Sequence, residues 1–379
     1  MNRIGVLQII DTLDAGGLER VAVNVANHLP GDWYRSHLCT TRAEGTLAEL
    51  VAPHVQRLRL TRRGRFDRHA LRHLAKYIRA HDIRILHAHG SSLFIAAAAA
   101  CGTRAAVVWH DHFGRYATEQ RPAWLYWLAT RRVAGVIAVN QPLADWSRRR
   151  LRVVAERVWY LPNFVCEPAP EQAAVELPGR AGLRVVCVAN LRPEKDHLNL
   201  LEAMRLVVRE VPAAHLLLVG LADNADYRMR VLEAMRQSEL VGRVTWLGAR
   251  PDVSAVLRGS DIGVLSSASE GLPLSLLEYG MHALPAVATR VGQCAEVLDD
   301  GRAGLLVPSS APQALAAALV ALLRSSLQQR QRLGQAFQQR VRHKYSSECV
   351  MRELCGIYRA VLPASGSHVE AVMECGGVA

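Results

Sequence analysis

Glu270 and Glu278 bracket the segment Glu270-Gly271-Leu272-Pro273-Leu274-Ser275-Leu276-Leu277-Glu278, which follows the apolar run Ile262-Gly263-Val264-Leu265-Ser266. A run of this kind leading into Glu-Gly-x-Pro predicts a buried strand breaking into a helix, with Pro273 in the first turn, where a missing N–H costs nothing. Such a junction aims unpaired helix N–H groups and the positive end of the helix dipole at the carboxyl edge of a sheet, an anion-binding geometry. Glu270 falls in the loop facing that edge. Glu278 falls about two turns into the helix, where a carboxylate can accept from the hydroxyls of a sugar or ribose. A solvated Glu at a helix start, with another on its outer face, is the plain alternative.

A second segment, Val188-Ala189-Asn190-Leu191-Arg192-Pro193-Glu194-Lys195-Asp196-His197, also follows a strand pattern. Only three residues of the chain are lysine, so Lys195 suggests a position where a compact ammonium is wanted. Histidines gather at two further strand ends, as His87-Ala88-His89 and His110-Asp111-His112. They could hold a metal, although i,i+2 pairs after strands are not the spacing of a zinc-enzyme helix. Gly16-Gly17 fits a loop approached closely by a ligand, and equally an ordinary strand-to-helix turn.

The elements that must position these residues alternate. Strand patterns occupy 4–10, 37–41, 55–60, 83–88, 106–109, 136–139 and 158–160, with helical patterns at 19–29, 67–81 and 94–101 between them. After a Pro- and Gly-bearing stretch at 164–182 the alternation restarts. Strand patterns lie at 184–189, 215–219, 244–247, 262–265 and 286–288, and an apolar run at 304–307. Helical patterns lie at 198–208, 227–239, 253–258, from 273, at 312–324, 327–343 and 347–361. Strand–helix alternation implies right-handed crossovers and parallel sheets, hence an α/β fold of two doubly wound, Rossmann-like domains facing across a cleft. Ligands of such sheets bind at the strand carboxyl ends. The expected division is a first domain at 1–163, a linker at 164–182, a second domain at 183–345, a C-terminal helix at 346–362 returning to the first domain, and a disordered tail at 363–379. No G-x-G-x-x-G occurs, which argues against a nicotinamide dehydrogenase.

The chain of 379 residues is half hydrophobic and carries a net charge of +12. Residues 1–163 hold 24 Arg plus Lys against 12 Asp plus Glu, while residues 164–379 hold 22 of each. The whole excess therefore lies in the first half, in runs such as Arg62-Arg63-Gly64-Arg65 and Arg148-Arg149-Arg150. Such a surface suits an anionic bilayer or simply dresses a solvated face; no nucleic-acid-binding motif accompanies it. Trp124-Leu125-Tyr126-Trp127-Leu128, and a helix carrying Leu71, Leu74 and Ile78, are the apolar stretches expected to meet a membrane. Eight scattered cysteines, no room for a signal peptide and no membrane-length apolar run point to a cytoplasmic protein, able to sit on the inner face of the membrane.

The ordered series Ser260-Asp261-Ile262, Ser269-Glu270-Gly271-Leu272-Pro273, Leu277-Glu278, Leu284-Pro285-Ala286-Val287-Ala288-Thr289, Glu296 and Gly301-x-x-Gly304-Leu305-Leu306-Val307-Pro308 resembles retaining glycosyltransferases of the GT-B architecture, family 4, group 1 type. The likeness runs from Gly16-Gly17 to about Leu362. It implies transfer of a sugar from a UDP- or GDP-sugar to a hydroxyl of a glycan or lipid-linked acceptor, in envelope polysaccharide, exopolysaccharide or lipopolysaccharide assembly. It places Glu270 on the donor sugar, Glu278 on the ribose, and the backbone of Gly271, Leu272 and Pro273 on the diphosphate. Lys195 matches the phosphate lysine. Asn190 stands where the family's arginine is usual, which leaves Arg192 as the second cation. Gly16 and Gly17 match the glycine-rich first loop near the donor phosphate. His110 matches the histidine that reaches the sugar and the reacting centre; His89 and Ser91 could line the acceptor side.

The resemblance further implies same-face displacement without an enzyme nucleophile, with the second domain gripping the donor and the first presenting the acceptor. No D-x-D is present, so no metal or other cofactor is expected. A nucleotide-sugar epimerase or glycan phosphorylase on the same architecture, and a basic nucleic-acid-binding or scaffold protein, are the rival readings.

Overall fold

The computed structural model describes residues 3–14, 16–64, 67–113, 122–167, 175–222 and 224–362. The chain divides into two compact units, Met1–Leu161 with Met351–Ala379, and Pro162–Val350.

The first unit holds seven parallel strands: β1 Ile4–Ile10, β2 Tyr34–Thr40, β3 Gln56–Arg59, β4 Ile83–His89, β5 Ala106–Asp111, β6 Gly135–Ala138 and β7 Val158–Tyr160. Their order is β3-β2-β1-β4-β5-β6-β7, so the direction of winding reverses between β1 and β4. Leu7, Ile9, Leu86, Val107, Trp109 and Val136 on these strands are buried with the inward faces of the helices. The helix Arg68–Ala80 starts because Asp67 accepts from the backbone N–H groups of His69 and Ala70. Its apolar face, Ala70, Leu74 and Ile78, is buried in that core, and Leu71 packs against it. This corrects the expectation that Leu71, Leu74 and Ile78 meet a membrane: the stripe is used internally, and the arginines form the solvated side.

Helices Ala123–Thr130 and Gln141–Arg150 had no counterpart in the sequence reading. The first is apolar nearly all round, so it has no 3.6-residue period to read. The second is set by Asn140, which caps Leu143 N–H at 2.9 Å, and by a proline in its first turn.

The second unit holds six parallel strands: β8 Arg184–Val188, β9 His215–Val219, β10 Val244–Trp246, β11 Ile262–Leu265, β12 Ala286–Thr289 and β13 Leu305–Val307. Their order is β10-β9-β8-β11-β12-β13, with the reversal between β8 and β11. The apolar run at 304–307 is thus a strand. The expected helix at 227–239 is Ala225–Met235, after which the chain turns and Glu239 accepts from Arg205 at 2.9 Å. The described part of 164–182 is packed: Phe164, Val165 and Leu177 are buried and Val165 bridges to Ser346, so these residues are not a free linker. The expected disordered tail at 363–379 lies outside the described residues.

Among the described residues, no helix is long and apolar enough to cross a membrane.

Candidate active site

In the second unit, the loops leaving β8 and β11 emerge side by side at the point where the winding reverses, the edge where doubly wound sheets bind ligands. Tyr279 ties these strand ends together. Its hydroxyl accepts from Val188 N–H at 2.7 Å and donates to the Val264 carbonyl at 3.2 Å. The ring lies where any side chain on Gly263 would stand.

The loops are then knitted to each other. Ala268 N–H donates to the Glu194 carbonyl at 2.9 Å, and Ser266 Oγ donates to the Lys195 carbonyl at 2.9 Å. Pro193–Lys195 forms a 3-10 turn, and Asp196 follows with φ 48°, in the left-handed region that Asp tolerates better than most residues. This backbone sends the Lys195 side chain back over the sheet edge. Lys195 Nζ donates to Glu270 Oε1 at 2.6 Å, and the same oxygen accepts from Ser267 Oγ at 2.6 Å. Ser267 is itself anchored through its carbonyl, which accepts from Thr289 Oγ1 at 2.6 Å.

Immediately beyond Glu270 the helix Leu274–Met281 begins, with Pro273 at its N-cap and no side-chain cap on its first N–H groups. Gly271 and Glu270 are held from behind by Gly292. Its φ is 50° and a Cβ there would run into the Glu270 carbonyl, so only glycine fits, and Gln293 N–H donates to the Gly271 carbonyl at 2.9 Å. The structure thus brings Lys195, Glu270, Gly271, Leu272 and Pro273 together. Glu278 is the fifth residue of an eight-residue helix, between one and two turns in rather than the expected two. It is half-buried, as is Arg192 at the start of the 3-10 turn. Asn190 serves the fold, because its Oδ1 accepts from Leu221 N–H at 3.0 Å and so joins the loops after β8 and β9. Tyr279, Ser267 and Gly292 were not singled out from the sequence, and Ser266 and Thr289 stood there only as members of longer motifs, although the Ser-Ser pair directly after β11 was a visible signal.

In the first unit, Gly16 caps the helix Gly17–His28 in extended conformation, and the Glu19 side chain folds back against it. The winding reversal between β1 and β4 is occupied by Asp11, another residue not anticipated. It accepts from Ser91 Oγ at 2.6 Å and Arg62 at 3.2 Å, and also from Thr41 Oγ1.

Beside it the ends of β4 and β5 carry a stack of histidines. His87, His89 and His110 are buried, at no more than 2% exposure. His87 Nε2 lies 3.1 Å from His110 Nδ1, and His89 Nδ1 lies 3.1 Å from His112 Nε2. His87 and His112 are pushed down to about 3 by burial, and His89 and His110 well below the ordinary histidine value, first by burial and then by the neighbouring His87 and His112 rings. The stack is therefore neutral at physiological pH.

His89 presents no open group, because its other nitrogen meets Gln8 Oε1 at 2.9 Å; this corrects its placement as an acceptor-lining residue. Ser91 is exposed. One nitrogen each from His87, His89 and His110 lies within 4.8 Å of the others, a spacing a transition-metal ion can span. Both ring nitrogens of His87 and of His89 are already hydrogen-bonded, so an ion would have to displace those bonds.

Residues 15–166 match the family described as Glycosyltransferase Family 4, and residues 182–325 the one described as Glycosyl transferases group 1. The chain is 29% identical over 178 residues to the N-acetyl-alpha-D-glucosaminyl L-malate synthase of Bacillus anthracis, covering 47% of this chain and 45% of that protein. It is 29% identical over 245 residues to the phosphatidyl-myo-inositol mannosyltransferase of Mycobacterium leprae, covering 63% of this chain and 62% of that protein. The alignments thus span less than two thirds of these relatives' lengths. The crystal structure of Anabaena Alr3699/HepE in complex with UDP and glucose shares the fold, with TM-score 0.78, 18% identity, and coverage of 94% of this chain and 100% of that one.

Proposed function

We infer from a chain that belongs over both its halves to the family 4, group 1 glycosyltransferases that it moves a sugar from a nucleotide-diphosphate donor to a hydroxyl group, with retention of anomeric configuration. The observation that carries this reading is the convergence of Lys195, Glu270 and an uncapped helix start on one sheet edge of the second unit. A cation and a set of helix N–H groups there suit a diphosphate whose charge grows as the glycosidic bond breaks.

On this reading the bond from the anomeric carbon to the leaving phosphate oxygen breaks, and the acceptor oxygen bonds to that carbon on the same face. The acceptor's proton passes to the departing phosphate. Lys195, Arg192, the Gly271–Leu272–Pro273 backbone and, in the first unit, the Gly16-Gly17 loop hold the diphosphate. Glu270 accepts from hydroxyls of the sugar, Glu278 from the ribose, and His110 hydrogen-bonds the transferred sugar. Lys195 and the helix start supply the charge compensation that a divalent ion gives elsewhere, so no metal takes part.

The donor base is uracil or guanine; UDP leads because the Anabaena structure contains it. The acceptor is a glycan or lipid-linked hydroxyl of envelope polysaccharide or glycolipid assembly, supported by the lipid acceptor in the name of the Mycobacterium leprae relative. The protein works at the inner, anionic face of the membrane. That placement is supported by the basic first half and by the helix Ala123–Thr130, whose Trp124 and Leu128 are 66% and 58% exposed.

A thermal-shift panel of nucleoside diphosphates and their sugars tests the reading. One base should be preferred, stabilising the native state by about 2.7 kcal/mol at a hundredfold excess over its dissociation constant. No stabilisation by any nucleoside diphosphate would sink it.

A further inference from the structure

His87 and Gln8 sit on neighbouring strands of the first unit, and Tyr358 comes from the C-terminal helix Ser347–Val361, 271 residues beyond His87. The three make a continuous polar chain inside an otherwise apolar core. Gln8 anchors it, because an amide has one accepting and one donating end. Its Oε1 accepts from His89 Nε2 at 2.9 Å, and its Nε2 donates to the Tyr358 hydroxyl at 3.2 Å. The Tyr358 hydroxyl, having accepted from Gln8, has its own proton to give. Its neighbour is His87 Nδ1, at 2.6 Å.

A histidine that accepts at Nδ1 carries its proton on Nε2, and His87 Nε2 faces His110 Nδ1 at 3.1 Å. His110 therefore accepts at Nδ1 and carries its proton on Nε2. That Nε2 is buried and has no hydrogen-bond partner among the described residues.

We propose that Gln8, Tyr358 and His87 are positioning residues that fix His110 as the neutral tautomer with a proton on Nε2, so that it meets its ligand as a hydrogen-bond donor. This rests on the reading of His110 as the group that faces the transferred sugar. Each link is directional: a reversed Gln8 amide would turn Tyr358 from donor to acceptor at His87 and strip the proton from His110 Nε2. Burial keeps every ring in the stack neutral, so the direction of the chain cannot be lost by protonation near pH 7. A donor fixed in advance spends no reorganisation when charge develops on the departing sugar. The open Nε2 is buried without a partner among the described residues, and a buried polar atom left so is costly unless a ligand completes it.

The direct test is the nitrogen NMR spectrum of the full chain labelled in its histidine rings, with His110 assigned by substitution. The expected wild-type spectrum shows His110 protonated at Nε2 and bare at Nδ1. A proton on Nδ1 overturns the proposal, whatever the transfer activity proves to be. Tyr358→Phe removes the hydroxyl that orients His87, and should give a mixed tautomer population at His110. Turnover should fall about tenfold or more, as a preorganised hydrogen-bond donor is only partly lost in a mixed population, with the KM for donor within twofold of wild type. Tautomer and turnover both unchanged, or a fall in turnover with the tautomer intact, overturns the relay. Should Tyr358→Phe fail to fold, Gln8→Leu removes the anchor from the other end and carries the same expectations.

Discussion

The Lys195 ammonium lies 2.6 Å from the Glu270 carboxylate, joining two loops whose residues stand 75 apart in the chain. The Glu270 side chain is 7% exposed and that of Lys195 24%, so the pair is largely withdrawn from water without being sealed. An arriving diphosphate would compete with Glu270 for the ammonium, while Ser267 keeps its own bond to the carboxylate. The lysine is thereby held in place before any phosphate arrives.

Removing only the cation leaves a mostly buried carboxylate with Ser267 as its sole described side-chain partner. Lys195→Met should therefore destabilise the second unit by about 1–3 kcal/mol, below the full cost of breaking a sealed pair because Lys195 is partly solvated. Adding Glu270→Gln should restore part of that loss, since the orphaned charge is gone. Denaturant unfolding of the single and double variants reads this. Strict additivity would mean that the pair does not couple in solution.

Glu278 and Glu270 stand at different depths along one loop and helix, and should separate in their effects. Glu278→Ala should weaken nucleoside diphosphate binding by about 1.5–3 kcal/mol, the worth of a hydrogen bond to a charged group, while Glu270→Ala mainly lowers turnover. Calorimetric titration settles the first part. An unchanged affinity in the Glu278 variant removes the ribose assignment.

The histidine stack should make stability pH-dependent. Unfolded imidazoles take up protons below about 6.5, whereas burial holds His87 and His112 neutral down to about 3, and His89 and His110 lower still. Between those limits the unfolded chain binds more protons, so the stabilisation is full above pH 6.5 and is lost as pH falls towards 3. Each ring contributes up to about 1.4 kcal/mol per pH unit within that window. Unfolding midpoints measured from pH 7 to 5 should fall, and fall less steeply in a His87→Gln variant. Equal slopes would show that the stack is not neutral when folded.

The helix Ala123–Thr130 is where lipid contact should concentrate. Tyr126 turns inward onto Trp109, at 5.4 Å between ring centres, while Trp124, Leu125, Trp127 and Leu128 stay exposed, with Arg131 over the Trp127 ring. Basic residues near an anionic leaflet contribute about 1 kcal/mol each, and the apolar side chains add insertion. Co-sedimentation with anionic vesicles should be salt-sensitive and largely abolished by Trp124→Ser with Leu128→Ser. Equal pelleting with neutral vesicles, or none with either, would leave the charge as solvated surface.

The sheets were legible because buried parallel strands read as apolar runs: β9 is His-Leu-Leu-Leu-Val, and each of its residues is buried. The Glu270 loop and the helix after it were legible from Pro273 and Gly271. Contacts across long separations were not. Nothing local marks Lys195 as the partner of Glu270, or Tyr358 as the partner of His87, because strand order joins the first pair and the packing of the C-terminal helix the second. The helix Arg68–Ala80 misled for a related reason: its apolar stripe is the same whether it faces a core or a lipid surface.

The most direct measurement is product analysis after incubation with the preferred nucleotide sugar and a hydroxyl acceptor, with anomeric configuration read by proton NMR. The account predicts a glycoside of the donor's own anomeric configuration, formed with one equivalent of nucleoside diphosphate, and its loss in Lys195→Ala despite an intact fold. Inverted configuration, an isomerised sugar, or release of sugar phosphate in place of a glycoside would contradict it.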